Sequence, residues 1–368
     1  MREGWTYKRW SDVLTIINGK NQSAVESVDG KYPIYGSGGI MGYANDWLCP
    51  ENCVIIGRKG NINKPIFVTT KFWNVDTAFG LNAIKDYLSP KFLFYFCLDY
   101  NFERHNRAVT IPSLTKADLQ KVQMPLPPLY VQQSIVAELD KINELIGLKK
   151  SQLSDLDSLA QSLFYDMFGD PVENEKGWEV KKLEDLALVK TGPFGSMLHK
   201  EDYISNGIPV VNPMHMKDYQ VKADMNFTVT MEKAKELSDY LLKLNDVVFA
   251  RRGDIGRCAV VSEKEDGYLC GTGSLFVRFV EKIEPLYMMY IIRADSFTNE
   301  LVSKAKGATM LNLNSNTIAS LLVPLPPLPR QQSFAARITA IEQQKQRISS
   351  SIKDLETLLA SRMQYWFD

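Results

Sequence analysis

The sequence lacks the features on which most enzyme sites are built. It has only three histidines, His105, His199 and His215, and none lies at metal-ligand spacing from another histidine or from a cysteine pair. It contains neither a GxxxxGK phosphate-binding loop followed by Ser or Thr nor a GxSxG nucleophile turn. The NPP-aromatic motif of amino methyltransferases is also missing. We therefore predict no catalytic residues and no metal site in this chain.

Paired cysteines and long apolar runs are missing too. The five cysteines form no CxxC pair, and their scatter fits reduced thiols in a cytoplasmic protein; they are Cys49, Cys53, Cys97, Cys258 and Cys270. The first ten residues have no apolar signal-peptide core. No run of 18 apolar residues is present, so we predict no membrane span and no membrane partner.

There is no excess of charge of either sign. The 43 Lys and Arg residues balance 43 Asp and Glu residues, which argues against an indiscriminate, strongly basic nucleic-acid binder but allows local basic patches. A length of 368 residues suggests two or three domains.

What the sequence does contain is an internal repeat. Pro125–Leu129 reads PLPPL and is followed by Gln132-Gln133-Ser134; Pro324–Leu328 also reads PLPPL and is followed by Gln331-Gln332-Ser333. The offset between these copies is 199 residues. Internal similarity of this kind indicates duplicated structural units.

The repeat extends well beyond this proline box. Matching segments recur at offsets of 173, 193 and 199, so the second half carries 26 extra residues in its middle; the pairs are Gly4–Trp10 with Gly177–Leu183, Arg58–Ile62 with Arg251–Ile255, and Ala108–Thr110 with Gly307–Thr309. We interpret the matching segments as a shared framework and the differing residues between them as two different binding surfaces. A pseudo-two-fold arrangement of this kind suits a two-part target. The alternative is a duplicated domain without shared function.

Residues 1–124 and 171–323 are predicted to be α+β. Short apolar stretches that alternate with turns predict strands at Asn52–Gly57 and Asp246–Ala250. Segments with a proline near the first turn predict helices at Tyr87–Asp99 and Pro285–Asn299.

Two glycine-rich segments, Gly36–Gly39 and Gly271–Gly273, do not open a helix after a strand. We therefore predict that both are turns.

Residues 125–170 and 324–368 each predict a proline box followed by one long helix. Apolar residues recur at alternating spacings of four and three, which is the pattern of a coiled-coil seam interrupted only by Lys149, Lys345 and Arg362. The predicted seam residues are Ile135, Leu139, Ile142, Ile146, Leu153, Leu156 and Leu163 in the first helix, and Ile338, Ile341, Ile348, Ile352, Leu355 and Leu359 in the second.

The charges of the two helices favour their pairing with each other. Residues 131–170 carry three basic against seven acidic residues, and residues 329–368 carry six against four. A globular segment between the helices makes an antiparallel pair the simplest arrangement. We interpret the proline box as a rigid hinge that aims the helix; a partner-binding proline motif is the alternative.

Polar boxes that follow the apolar strands are the candidate DNA contacts. Arg and Lys suit phosphates and guanine edges, Asn suits adenine, and glycine lets the backbone approach closely. The alternative for any one of them is a solvated loop. The candidates are Arg58, Lys59, Asn61, Arg107, Thr110, Asn212, His215, Arg251, Arg252, Arg257, Lys306 and Thr309.

Regional charge qualifies this hypothesis. Residues 1–130 carry fifteen basic against eleven acidic residues, whereas residues 171–328 carry nineteen against twenty-one. Electrostatics therefore favours DNA weakly in the first half and not in the second, which implies a basic partner.

Together these motifs resemble the specificity subunit of type I restriction-modification systems. The resemblance rests on the two PLPPL-x2-QQ boxes, the FARRGDIGR segment at Phe249–Arg257 and the Trp178–Leu183 entry, and it covers essentially the whole chain. It implies an α+β fold with two similar target-recognition domains separated by two long conserved helices that form an antiparallel coiled coil. The domains would be 1–124 and 171–323, and the proline boxes with their spacer helices 125–170 and 324–368.

The same resemblance implies the partners. A specificity subunit reads a bipartite, asymmetric double-stranded DNA site and has no catalytic site of its own. It holds two modification (methyltransferase) subunits, and restriction subunits with translocase and endonuclease activity join the complex. S-adenosylmethionine, ATP and magnesium would be used by these partner subunits, with no cofactor bound by this chain.

The helix length predicts a gap between the two half-sites. About 36 helical residues at about 1.5 Å each span roughly 54 Å, which exceeds one DNA turn of about 34–36 Å. The alternatives to this function are a protein scaffold that does not bind DNA and a nuclease whose carboxylates we did not recognise.

Overall fold

A computed structural model describes residues 4–106, 112–217, 219–305 and 312–367. The chain divides into two compact units, each of which holds one repeated half together with part of each long helix. Unit 1 comprises Met1–Gln152 and Ile348–Asp368, and unit 2 comprises Leu153–Arg347.

Unit 1 contains nine strands in three sheets among its described residues. The sheets have the strand orders β2-β8-β5-β6, β4-β3-β7 and β1-β9. The strands are β1 (Thr6–Arg9), β2 (Leu14–Asn18), β3 (Tyr32–Gly36), β4 (Gly39–Ala44), β5 (Cys53–Gly57), β6 (Ile66–Val68), β7 (Trp73–Asn74), β8 (Ala78–Ala83) and β9 (Gln123–Leu126). The short helices are α1 (Trp10–Val13), α2 (Pro90–Asp99) and α3 (Lys116–Leu119).

Unit 2 repeats this plan with additional elements. Its described sheets have the orders β11-β19-β16-β17, β15-β12-β18, β13-β14 and β10-β20. The strands are β10 (Glu179–Lys182), β11 (Ala187–Thr191), β12 (Ile208–Val211), β13 (Met216–Lys217), β14 (Gln220–Val221), β15 (Thr228–Val229), β16 (Val247–Ala250), β17 (Cys258–Val260), β18 (Leu269–Cys270), β19 (Ser274–Phe279) and β20 (Leu322–Leu325). The helices are α5 (Leu183–Leu186), α6 (Met231–Glu236), α7 (Pro285–Arg293), α8 (Asp295–Lys304) and α9 (Ser315–Ala319).

The sheets confirm the predicted strands and locate the repeat in three dimensions. The stretches predicted at 52–57 and 246–250 are β5 and β16, and every residue of both strands is buried because each is an inner strand of a four-stranded sheet. The start of each half is also built alike. Trp10 N–H donates to Val122 O at 2.9 Å, and Leu183 N–H donates to Leu321 O at 2.9 Å.

One helix prediction is correct in type but wrong in extent. The stretch 285–299 is interrupted at Ala294, whose backbone is extended with φ −60° and ψ 134°, so α7 ends and α8 begins on either side of it. Thr298 Oγ1 donates to Ile292 O at 2.9 Å and Thr298 N–H donates to Ala294 O at 2.8 Å, which fixes the corner between the two helices. The predicted helix 87–99 is α2, which begins at Pro90.

The two long helices are α4 (Leu129–Phe168) and α10 (Leu328–Phe367), each of 40 residues. They are longer than the 36 residues expected, because each begins at the last leucine of its proline box. Gly169, with φ +74°, ends α4 and donates its N–H to Tyr165 O at 2.8 Å, as a glycine C-cap does. Although both helices exceed the length of a bilayer crossing, no described helix has the unbroken apolar stretch that such a crossing would take.

The proline boxes are partly strand and partly hinge. Pro125 lies in β9 opposite Tyr7, and Pro324 lies in β20 opposite Val180. The two-stranded ladders tolerate proline because its missing N–H can face away from the partner strand. Only the second half of each box is left to turn the chain into the helix.

In unit 1 the start of α4 and the end of α10 run antiparallel. Glu138 accepts hydrogen bonds from Arg362 Nε, from Arg362 Nη2 at 3.1 Å and from Trp366 Nε1 at 3.1 Å. Lys150, further along α4, pairs with Glu356, earlier in α10, at 3.0 Å. The order of these contacts establishes the opposite directions of the two helices.

In unit 2 the end of α4 and the start of α10 are paired in the same way. Phe164 and Phe168 pack against Phe334, with ring centroids 5.8 and 5.3 Å apart. Lys345 Nζ lies 2.7 Å from Asp157 and 2.9 Å from Glu342. Two of the three charged residues that interrupt the seam, Lys345 and Arg362, are thus paired with carboxylates of the facing helix.

The seam residues lie on the covered side of both helices. Each is buried or half-buried, whereas the residues one step to either side are mostly exposed. The α+β fold with an antiparallel pair of long helices is therefore confirmed.

Candidate DNA interface

The box Arg58–Ile62 forms a tight turn at the end of β5. Gly60 adopts φ +78°, and no atom lies within 4 Å of the position that a Cβ would take there, so the backbone conformation rather than lack of space favours glycine. Gly60 N–H donates to Pro112 O at 3.0 Å, and Leu114 N–H donates to Arg58 O at 2.9 Å. The turn is thereby joined to the segment that begins at Pro112.

The box Arg251–Ile255 forms the same turn at the end of β16. Gly253 adopts φ +74°, also with open space at its Cβ position. Leu313 N–H donates to Arg251 O at 2.9 Å, which matches the Leu114 bond of unit 1. The two boxes, found in the sequence as a repeat, are therefore equivalent turns in the structure.

The side chains of the unit 1 turn are open to solvent. Arg58, Lys59 and Asn61 are all exposed. Arg58 Cζ lies 5.7 Å from the centroid of the Phe79 ring, so its guanidinium rests on the end of the sheet. A Cβ on Gly38 would lie 3.7 Å from Asn61 Nδ2, which places the β3–β4 hairpin tip beside the turn. The predicted turn at 36–39 is this tip.

The arginines of the unit 2 turn are held by internal contacts. Arg251 is 7% exposed, and its Nε donates to Asn312 Oδ1 at 3.1 Å; Arg252 Nε donates to the same oxygen at 3.4 Å. Burial, and then the neighbouring charge of Arg252, lower the pKa of Arg251. Among the described residues neither arginine forms an ion pair, so two positive charges converge on one neutral amide oxygen.

Arg257 differs from these two because a carboxylate neutralises it. Its Nη2 lies 2.6 Å from Asp254 Oδ2, and its Nη1 donates to Pro213 O at 3.3 Å. Asp254 occupies the place that Asn61 takes in unit 1. The equivalent turns therefore present different charges.

Asn212 and His215 form a local cap. Asn212 N–H donates to His215 Nδ1 at 3.1 Å, and Asn212 Oδ1 accepts from Gly273 N–H at 3.3 Å. His215 is buried, and burial lowers its pKa. Because its Nδ1 accepts a hydrogen bond, the neutral ring carries its proton on Nε2. A polar residue three positions after Asn212, with Pro213 between them, is a capping pattern that sequence reasoning could have weighed.

The structure brings the unit 2 candidates together. Arg251 N–H donates to Gly273 O at 3.0 Å, so the arginine box, the Gly271–Gly273 turn and the Asn212 cap form one cluster at the ends of β16 and β18. Four further candidates, Arg107, Thr110, Lys306 and Thr309, lie outside the described residues. Within the described ranges, no group of three His, Cys, Asp or Glu side chains is arranged to hold a metal ion.

The chain matches the family model for the type I restriction modification DNA specificity domain over residues 2–157 and 175–356. It belongs to this family.

Curated relatives agree with this assignment. The type I restriction enzyme MjaVIII specificity subunit of Methanocaldococcus jannaschii is 22% identical, over 97% of this chain and 92% of that protein. The putative specificity subunit S.HindORF215P of Haemophilus influenzae is 24% identical over 95% and 89%. The EcoBI specificity subunit of Escherichia coli is 21% identical over 84% and 70%.

Solved structures show the same fold. The S subunit of a type I restriction-modification system from M. genitalium aligns with a TM-score of 0.61 at 14% identity, over 99% of this chain and 96% of that one. A chain from a study of complex assembly and conformational transition of the type I R-M system aligns with a TM-score of 0.62 at 18% identity, over 99% and 97%.

Two glycines at equivalent positions of the two units could also be predicted from the repeat. A Cβ on Gly19 would lie 1.7 Å from Val75 O, and a Cβ on Gly192 would lie 2.0 Å from Gly271 O. Each glycine follows the first strand of its four-stranded sheet, and their offset is the same 173 residues that relates the two tryptophan-containing entries. Extending that offset along the chain would have found them.

Two glutamines of the repeated proline-box motif are buried, a role that the sequence alone does not predict. Gln132 is fully buried; its Oε1 accepts from Ser89 N–H at 2.8 Å, and its Nε2 donates to Tyr87 O and Pro127 O, both at 2.8 Å. Gln331 is 2% exposed; its Oε1 accepts from Glu284 N–H at 3.0 Å, and its Nε2 donates to Pro326 O at 2.8 Å.

Proposed function

We propose that this chain is the DNA-recognition subunit of a type I restriction-modification complex and reads a bipartite, asymmetric site, one half with each unit. The observation that carries the proposal is the recurrence of one polar turn, Arg58–Ile62 and Arg251–Ile255, at the same strand end in both units. A duplicated fold alone would preserve the glycines of these turns. Preserved cations at both turns favour a shared ligand with negative charge.

The differences between the two turns favour an asymmetric target. Unit 1 offers exposed Arg58, Lys59 and Asn61, which suit phosphate, guanine and adenine. Unit 2 offers a buried Arg251 beside Arg252, with Arg257 already paired to Asp254. We assign Arg251 and Arg252 to the second half-site, since a guanidinium held at its Nε keeps its terminal amino groups for one fixed acceptor.

Arg107, Thr110, Lys306 and Thr309 remain candidate contacts on the grounds of their place in the repeated sequence. For Asn212 and His215 we propose that they shape the surface near Gly273 from beneath, because their polar atoms already serve the cap.

The partners follow from the proposed complex. Two methyltransferase subunits would supply S-adenosylmethionine chemistry and flip the target adenine out of the stack, and restriction subunits would use ATP and magnesium. This chain would contribute no catalytic group. The acidic balance of residues 171–328 means that part of the positive charge facing DNA would come from these subunits.

Adenine methylation in cells with and without this gene product tests the proposal. Single-molecule sequencing should reveal a methylated motif of two short half-sequences around an unread gap, present only when the chain is made. A gel shift with and without methyltransferase subunits separates DNA recognition from a scaffold role, and incubation of the purified chain with DNA and magnesium tests the nuclease alternative. A methylation pattern unaltered by loss of the chain would refute the proposal.

Substitution of the two turns should affect opposite half-sites. We expect Arg58→Ala with Lys59→Ala to weaken methylation through one half-sequence, and Arg251→Ala with Arg252→Ala through the other, each by about 1–3 kcal/mol for each lost contact. The measurement is methylation rate on DNA with one half-sequence scrambled at a time. Lys121→Ala is the control, since Lys121 is 71% exposed and far in sequence from both turns. Equal loss from both double variants on unrelated DNA would instead identify nonspecific phosphate contacts.

A further inference from the structure

The two buried glutamines stand where each recognition region meets its long helix. In unit 1, Gln132 lies on the first turn of α4 and bonds Ser89 and Tyr87 at the start of α2, as well as Pro127 in the proline box. In unit 2, Gln331 lies on the first turn of α10 and bonds Glu284 at the start of α7 and Pro326 in the proline box. One side chain thus joins three chain segments in unit 1, and its counterpart does so in unit 2.

Other contacts at these joints are apolar or lie nearer the surface. In unit 1, Asp140 of α4 accepts a hydrogen bond from Tyr95 Oη of α2 at 2.7 Å and lies 2.6 Å from Lys91 Nζ, but its side chain is 37% exposed whereas Gln132 is fully buried. Ile135 and Leu139 of α4 pack into the core of unit 1, and Phe334 and Ile338 of α10 pack into the core of unit 2. Apolar burial holds the helix against the domain but is not directional. Hydrogen bonds are directional, and a buried amide with several fixed partners permits one orientation of the helix start relative to α2 or α7.

We propose that Gln132 and Gln331 are positioning residues that fix the angle between each recognition region and its spacer helix, and thereby the number of base pairs allowed between the two half-sites. This inference rests on the proposed function. It assigns gap selection to the joints as well as to the length of the helices.

Small angular errors at the joint matter on the scale of DNA. A rotation of about 10° acting over about 20 Å, of the order of the size of a domain of 120 residues, moves a DNA-contacting loop by about 3.5 Å. Successive base pairs are about 3.4 Å apart along the helix axis. Loss of a directional joint therefore shifts register by about one base pair without altering any side chain that contacts DNA.

We call Gln132 and Gln331, with their hydrogen bonds, the glutamine clamps, and the sequence supplies a matched control for each. Gln133 and Gln332 are the next residues of the same helices, and both are exposed. Methionine is unbranched, has a helix propensity close to that of glutamine and removes the amide. Gln132→Met and Gln331→Met therefore break the clamps, while Gln133→Met and Gln332→Met make the same chemical change outside them.

The experiment measures methylation by the complete complex with methyltransferase subunits, on DNA with both half-sequences fixed and the gap varied in steps of one base pair. Unsubstituted chain should prefer one gap. In Gln132→Met and Gln331→Met, methylation at gaps one base pair longer or shorter should rise about tenfold relative to the preferred gap, the change expected from losing roughly one buried hydrogen bond of discrimination. The two controls should keep the original preference.

Two outcomes would overturn the inference. One is a uniform fall in methylation at every gap with the preference unchanged, which marks the glutamines as stabilising only; the other is an altered half-sequence with an unaltered gap. Where a methionine variant does not fold, Gln132→Leu or Gln331→Leu takes its place, because leucine also lacks the amide, introduces no buried charge and has a helix propensity close to that of glutamine. If the unsubstituted complex methylates no paired half-sites, the proposed function itself fails, and that result is distinct from a clamp variant that keeps a single gap.

Discussion

At the residue scale, one buried carboxylate organises the strand that leads to the unit 2 arginine box. Asp246 is 1% exposed and accepts from Arg278 Nε at 2.9 Å, from Arg278 Nη2 at 2.7 Å and from Lys243 N–H at 2.8 Å. The two-pronged geometry is the strongest form of ion pair that a protein makes. It joins β19 to the residue that precedes β16, so it supports the strand whose end is followed directly by Arg251.

Removal of this carboxylate should destabilise unit 2. We expect Asp246→Ala to lower the free energy of unfolding by about 3 kcal/mol, because it leaves the Arg278 charge, only a quarter exposed, without its partner. Asp239→Ala is the matched control: Asp239 is 82% exposed in its pair with Lys190 and its loss should change stability by less than about 0.5 kcal/mol. The free energy of unfolding of both variants is measured in urea. An equal decrease in the two would contradict the role given to burial of Asp246.

Glycines at two positions should respond to alanine with opposite signs. Gly147 lies in α4 with no atom within 4 Å of its Cβ position, so Gly147→Ala should stabilise the protein by about 0.5–1 kcal/mol through helix propensity. Gly19→Ala should destabilise it strongly, since the new methyl would meet Val75 O at 1.7 Å. Thermal unfolding measures both; a stabilising Gly19→Ala would mean that the backbone at Val75 yields freely.

At the element scale, a feature can be predicted from the sequence when the residues that determine it are close together in the chain or recur in both halves. The seam of α4 and α10 could be predicted because its periodicity is local, and the arginine turns because they recur. The bonds of Gln132 could not, because Tyr87 lies 45 residues away and nothing in a local pattern points to it. The interruption at Ala294 could not be predicted either, because the corner depends on the hydrogen bond that Thr298 Oγ1 donates back to Ile292 O.

A carboxylate beside the seam, Glu138, titrates in acid. Hydrogen bonds from Arg362, and then from Trp366, lower the pKa of Glu138 below its ordinary value of 4.5 despite partial burial. The folded pKa lies below the unfolded one, so the pair stabilises the helices at pH above 4.5, and this stability is lost as pH falls through the lowered pKa.

Glu138→Gln should therefore remove part of the acid sensitivity of unit 1. Between about pH 5 and about pH 3, the free energy of unfolding should fall more steeply in the unsubstituted chain than in this variant. Glu144→Gln is the control, because Glu144 is exposed and pairs with Lys141 of its own helix at 2.9 Å. Parallel pH profiles for the unsubstituted chain and Glu138→Gln would show that the Arg362 contact adds nothing to folding.

At the scale of the whole molecule, the two units share their structural elements but differ in their exposed side chains. The strand orders, the arginine turns, the close-approach glycines and the glutamine clamps all occur twice. The exposed chemistry does not: Asn61 of the first turn is Asp254 in the second, and residues 1–130 carry a net charge of +4 whereas residues 171–328 carry −2. The repeated strands, turns and long helices could be predicted because the same sequence pattern occurs twice. The side chains that would distinguish DNA sequences are not repeated, so only the structure locates them.

The proposed spacing function can be tested by shortening both long helices without disturbing their seam. Removing residues 149–155 from α4 and 348–354 from α10 leaves the alternating four-three spacing intact, because Ile146 is then followed at three positions by Leu156 and Lys345 at three positions by Leu355. Seven residues at about 1.5 Å shorten each helix by about 10 Å, or about three base pairs of DNA. A heptad deletion also changes the facing of the helix by only about 20°, so each recognition region keeps its orientation on the helix.

We expect the shortened chain to direct methylation to the same two half-sequences with a gap about three base pairs shorter. The rate should fall, since three base pairs also rotate one half-site about the DNA axis by roughly 100° and the DNA must untwist or bend to meet both units. Deleting the heptad from α4 alone mismatches the paired helices and should abolish methylation. Sequencing of methylated sites is the measurement: an unchanged gap with altered half-sequences would show that the helices do not set the distance between the two half-sites.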